Sequence, residues 1–119
     1  MPRSIGTHTV AQHFEDRSPA VKATYKAIVK AAKRLGPVTE DPKKTSIHLN
    51  RKSAFAGVAT RKDALILTLK AARDIRSKRV GRREQASAGR WHLEVRLQSP
   101  SEVDKQLMGW LAAAYELSA

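Results

Sequence analysis

The sequence predicts an α+β fold, a two-layer sandwich in which a four-stranded, mainly antiparallel sheet carries two main helices on one face. Three observations lead there. Apolar residues recur at helical spacing in one segment near each end of the chain. Between them lie four strand-like segments, three of which place apolar residues at every second position, the period of a half-buried strand. Short polar turns join the first three of those segments, which favours an antiparallel meander. The 119 residues match one domain, residues 1–119, and their 41% hydrophobic content supports one compact core and no thicker architecture.

The elements follow in chain order. Thr9-Val10-Ala11-Gln12 has the form of a capping box, so a short helical turn starts at Thr9, carries Val10 and Phe14 inward and stops near Asp16-Arg17. Ser18-Pro19 opens a longer helix, with Ser18 as N-cap and proline where its missing N–H is not needed. Val21, Tyr25, Ile28, Val29, Ala32 and Leu35 fall on one face of it, and Gly36-Pro37 ends it. The opposite face presents Lys22, Lys26, Lys30 and Lys33, followed by Arg34.

After a polar turn, Thr45, Ile47 and Leu49 alternate with Ser46, His48 and Asn50 in a first strand. Ser53–Thr60 forms a second, with Gly57 marking a bulge or a close backbone approach. Leu65, Leu67 and Leu69 alternate with Ala64, Ile66 and Thr68 in a third. From about 71 to 90 the alternation stops, and Arg73, Arg76, Lys78, Arg79, Arg82, Arg83 and Arg90 face only Asp74 and Glu84. A long basic loop, mobile in the free protein, is expected there. Trp91, Leu93, Val95 and Leu97 make the fourth strand, and the capping box Ser99-Pro100-Ser101-Glu102 opens a final helix. That helix sets Val103, Leu107, Trp110, Leu111 and Ala114 on one face.

Several of these strings together resemble a known bacterial family of uncharacterised proteins. They are Thr9-Val10-Ala11-Gln12-His13-Phe14, Leu35-Gly36-Pro37, Lys44-Thr45, Phe55-Ala56-Gly57-Val58 with Leu65, His92, Ser99-Pro100-Ser101-Glu102, Trp110 and Ala114-Tyr115. Their order and spacing resemble domain of unknown function 5655 over about residues 8–117. The resemblance supports the fold and carries no active site onto this chain. It also implies, in many members, a Cys/His zinc-binding segment ahead of the domain, and these 119 residues contain none.

Composition narrows the chemistry. Without cysteine there is no disulfide, thiolate metal site or cysteine nucleophile, which agrees with a reducing compartment. No apolar run approaches the roughly 18 residues needed to span a bilayer, and Met1–Gly6 lacks a secretory leader, so a cytoplasmic location without membrane contact is expected. The four histidines, His8, His13, His48 and His92, show no metal-ligand spacing, so no metal and no cofactor are expected. Glu94-Val95-Arg96 brings an acid and a cation together on one strand face, but an arginine cannot serve as a base, and an ion-pair pattern on a sheet explains it. No nucleophile elbow, phosphate-cradling glycine loop or dinucleotide fingerprint occurs, so no catalytic residue is assigned.

The charge balance is distinctive. Lys and Arg number 23 against 11 acids, a net +12 that attracts polyanions. The expected function is therefore a non-catalytic binding module for an anionic partner, nucleic acid first or another polyanion. Lys22, Lys26, Lys30 and Lys33 and the loop residues Arg73, Arg76, Lys78, Arg79, Arg82 and Arg83 would supply the contacts. The competing reading of the lysines is a solvated face of good helix formers. Two rivals differ in kind. One is a small-molecule or catalytic site on the polar sheet face, using His48, His92, Glu94 and Arg96. The other is an accessory domain whose basic loop docks on an acidic protein.

Overall fold

The computed structural model describes residues 8–119. At its start, the Gln12 side-chain oxygen accepts from the Thr9 amide at 3.0 Å and the Thr9 hydroxyl from the Gln12 amide at 3.2 Å. This reciprocal pair sets up one 3-10 turn, Ala11–Phe14, with Val10 and Phe14 packed on the edge of the core. Thr60 fastens the turn to the sheet, its hydroxyl donating to the His13 carbonyl at 2.6 Å.

Helix α1 spans Pro19–Lys33 and buries Val21, Thr24, Tyr25, Ile28, Val29 and Ala32. Thr24 fits among apolar neighbours because its hydroxyl donates to the Ala20 carbonyl of its own helix, at 2.6 Å. Ser18 has the extended backbone of an N-cap, but its side chain makes no capping bond. Instead its amide donates to the Lys62 carbonyl at 2.8 Å, tying the helix start to a sheet turn. Leu35, expected on the inner face, is 39% exposed, because the helix has already ended before it.

The sheet has six strands rather than four: β1 Thr39–Pro42, β2 Ile47–Asn50, β3 Ala54–Thr60, β4 Leu65–Ala71, β5 Val80–Ser87 and β6 Arg90–Leu97. Their order is β1-β2-β3-β4-β6-β5, and every neighbouring pair is antiparallel. The two additional strands are the edges. β1 occupies what reads as a polar turn. β5 occupies half of the segment expected as a mobile basic loop, so that expectation is corrected: residues 80–87 are hydrogen-bonded to β6. The edge strand is not a continuous ladder, since its register shifts between Val80 and Arg82 and again between Gln85 and Ser87. Another irregularity is where β3 leaves Phe55 unpaired opposite Leu49/Asn50, so the bulge falls two residues before Gly57 and not at it.

Because β6 is antiparallel to both β4 and β5, those two strands run parallel with β6 between them. The connection 72–79 must therefore return along the length of the sheet. It does so against α2, with Ile75 packed on the core and Arg79 reaching Asp104.

Helix α2 spans Lys105–Glu116, later than the capping box predicts. Pro100–Glu102 is only a 3-10 turn, in which the Glu102 carboxylate accepts from the Gln98 amide at 2.6 Å and the Ser99 amide at 3.0 Å. The chain leaves helical geometry at Val103, and Asp104 caps α2 by accepting from the Leu107 amide at 3.0 Å. Both helices close on one sheet face. Ile28, Leu107 and Leu111 meet Ile47, Leu49, Leu65, Leu67, Leu69, Leu93, Val95 and Leu97, all buried.

Tyr115 locks the two layers together. Its ring meets Phe55 edge-on at 5.2 Å between centroids, Arg51 stacks over it at 4.3 Å, and its hydroxyl donates to the Pro37 carbonyl at 3.0 Å. That hydroxyl occupies the space where a Cβ on residue 36 would stand, and Gly36 has a φ of 150°. Gly89, in the β5–β6 turn, has a φ of 71° but open space around it. Gly36→Ala should thus cost roughly 1–3 kcal/mol in urea unfolding and Gly89→Ala about 1 kcal/mol or less. Equal losses would mean that the Tyr115 contact contributes nothing.

Candidate anion-binding groove and the open sheet face

The spacing of Lys22, Lys26, Lys30 and Lys33 places all four on the exposed side of α1. With Arg34 they border a shallow groove of about 810 Å³, floored by Val10, Phe14, Tyr25 and Val29 and walled on the far side by Glu40 of β1. The 3-10 turn supplies Val10 and Phe14, and α1 supplies the rest of the floor. Phe14 and Tyr25 lie 5.1 Å apart with their rings tilted by 46°.

The Tyr25 hydroxyl donates to Glu40 Oε1 at 2.5 Å. Burial first, then the hydrogen bond to Glu40 and its negative charge, push the Tyr25 phenol far above its ordinary range. It is therefore a fixed neutral donor that occupies one Glu40 oxygen. Among the described residues, none of the four lysines belongs to an ion pair. Lys30 and Lys33 also stand in the last turn of α1, where cations complement the helix dipole.

The arginines of the connection and β5 have other neighbours. Arg79 is fully engaged: it binds both Asp104 oxygens at 2.9 and 3.1 Å and the Glu102 carbonyl at 2.7 Å, and it lies 5.8 Å from the Trp110 ring centre. Asp74 draws in two more. Arg83 Nε stands 3.2 Å from Asp74 Oδ1 without hydrogen-bond alignment, and Arg76 Nε stands 3.4 Å from Oδ2. Arg73, Lys78 and Arg82 are exposed, with Arg82 opposite Glu94 in the ladder. None of these arginines lines the lysine groove. Glu40 of the lysine groove lies on β1 and Arg82 on β5, opposite edges of the sheet, and five strand spacings amount to roughly 24 Å.

The open sheet face carries the other predicted set. A single cross-strand row runs Asp41, His48, Gly57, Thr68, Glu94, Arg82. His92 sits in the next row, opposite Lys70 and Glu84, and Arg96 lies opposite Ile66. All four predicted residues share this face, but three strand spacings, about 14 Å, separate the β2 and β6 positions. Gly57 and Ala59 leave a low floor along β3. His48 and Ser46 on one side, and Thr68, Lys70 and His92 on the other, wall a trough of about 310 Å³. Glu94 and Arg96 do not line it. Lys70 bends to the end of the sheet, donating to the hydroxyls of Ser118 at 3.0 Å and Ser53 at 3.4 Å.

The groove floor was only partly readable in advance. The Thr9 capping box points Val10 and Phe14 inward, but Glu40 has no sequence signal because β1 lacks an apolar alternation. Among the described residues no cluster of three or more His, Asp or Glu could hold a metal ion, and no helix is long and apolar enough to cross a membrane.

Fold and surface together define an α+β domain with two helices on an antiparallel sheet and a lysine-bordered groove. The model of the family described as Domain of unknown function (DUF5655) matches residues 10–118, and the chain belongs to that family. No curated protein and no solved structure matches the chain.

The Arg79–Asp104 contact yields a pH prediction. The Leu107 amide first, and then the Arg79 guanidinium, hold the Asp104 carboxyl below the usual carboxylate range. A lowered native pKa contributes stability above the ordinary aspartate range and loses it as pH falls from about 5 through the lowered value. Asp104→Asn keeps a capping oxygen but not the charge. Thermal unfolding should show the variant less stable than the parent near neutrality, with the gap closing in acid; a gap independent of pH would contradict this origin.

Proposed function

We propose that this domain is a non-catalytic binding module for an anionic partner, and that the partner docks along α1. The observation that carries this reading is that Lys22, Lys26, Lys30 and Lys33 are exposed, border one groove and belong to no ion pair among the described residues. The arginine-rich region supports it less, because Arg79 and Arg83 face carboxylates of the same chain. Nucleic acid belongs to this partner class. Four phosphate contacts would give duplex DNA a slope of log affinity against log salt of about −3.6.

A second reading has one observation in its favour: the concavity between His48 and His92 on the open sheet face. Its size suits a small polar ligand, and the small residues of β3 provide the room.

Heparin and a duplex oligonucleotide are general anionic probes. Lys26→Glu/Lys30→Glu and Arg73→Glu/Arg82→Glu change net charge equally, so any difference between them reports location. The lysine pair should weaken binding about tenfold or more and flatten the salt slope by about 2. The arginine pair should change both far less. Equal losses would reduce the effect to net charge and overturn the docking site.

A further inference from the structure

We infer that the anion taken by the α1 groove is an acidic amphipathic segment of another protein. This rests on the anionic-partner reading above and names the partner's chemistry. The groove has two kinds of surface, a lysine border and an apolar floor in which half-buried Val10 and Phe14 lie over buried Tyr25 and Val29. The phosphates of a nucleic acid use only the border, and its sugars present far less apolar surface to the floor than a row of aliphatic side chains does.

Stacked bases do not fit the floor either. Tyr25 is 3% exposed, its hydroxyl is bound to Glu40, and its ring is tilted against half-buried Phe14, so Tyr25 offers no stacking face and successive bases would have only the one ring of Phe14. The Glu40 carboxylate in the far wall adds a negative charge that a uniformly charged strand must pass. A polypeptide can place its acids against the lysines and a neutral residue against Glu40.

The dimensions agree with a helix. Lys22 to Lys33 spans about 16 Å of α1, roughly three turns. A partner helix of that length would seat apolar residues spaced three and four apart on the floor and align its flanking acids with the lysines. This chain does not offer such a segment itself. Residues 1–7 contain Arg3 and no acid, and a second copy carries the same +12.

Fluorescence anisotropy at near-physiological ionic strength tests the inference with three probes. The first is a helical peptide of about four turns, with leucines on one face flanked by glutamates. The second is a peptide of the same composition in permuted order, and the third a short DNA duplex. The patterned peptide should bind about tenfold or more tighter than either of the others. Lys26→Glu and Val10→Gln should each weaken it several-fold, and Val10→Gln should weaken the patterned peptide by a larger factor than it weakens heparin. Equal binding of the permuted peptide, or tighter binding of the duplex, would overturn this inference and leave the anionic-partner reading standing. Failure of heparin, duplex and both peptides to bind would overturn both.

Discussion

The position of α1 depends on one aromatic side chain at the far end of the chain. Tyr115 reaches from α2 across to Pro37, just beyond the end of α1, and rests on Phe55 of the sheet. The interaction holds three segments that are distant in sequence, and a glycine is required beneath it. Since a buried hydroxyl left without a partner costs about 1–3 kcal/mol, the Tyr115–Pro37 bond holds the chain in place just beyond the end of α1. The direction of the chain into β1 follows, and with it the wall that Glu40 forms opposite the lysines.

A second consequence of the same arrangement is the fate of the positive charge. The connection 72–79 has to run back along the sheet, and it carries arginines beside α2. There Asp104, already the cap of α2, also receives Arg79, and Asp74 receives Arg76 and Arg83. Arg79 thus fastens the chain to itself, while Arg83 and the exposed Arg76 lie within ion-pair distance of Asp74. Among the described residues, the lysines of α1 have no carboxylates at comparable distance, so a helix that looks ordinary in composition keeps its charge outward.

What could be read in advance follows from where burial falls. β2, β4 and β6 each place alternate residues under the helices, and Ile47/Leu49, Leu65/Leu67/Leu69 and Leu93/Val95/Leu97 announce that alternation directly. The edge strands do not. β5 buries only Val80, and β1 is Thr-Glu-Asp-Pro with none of its residues fully buried. A strand outside the cover of the helices needs no apolar face, so no periodic signal marks it. The same reason hid Glu40 from the groove, while the lysine border was visible from spacing on α1 alone. Arg79 could not be sorted from Arg82 by sequence, because its partner Asp104 is distant in the chain.

The outer margin of β5 has its own physical meaning. Its ladder slips register twice, and its middle bears Arg82 and Arg83. An exposed strand that is bent and charged in this way makes a poor template for another strand to zip onto. The six-stranded sheet therefore ends there, with an outer margin that does not invite a further strand to extend it.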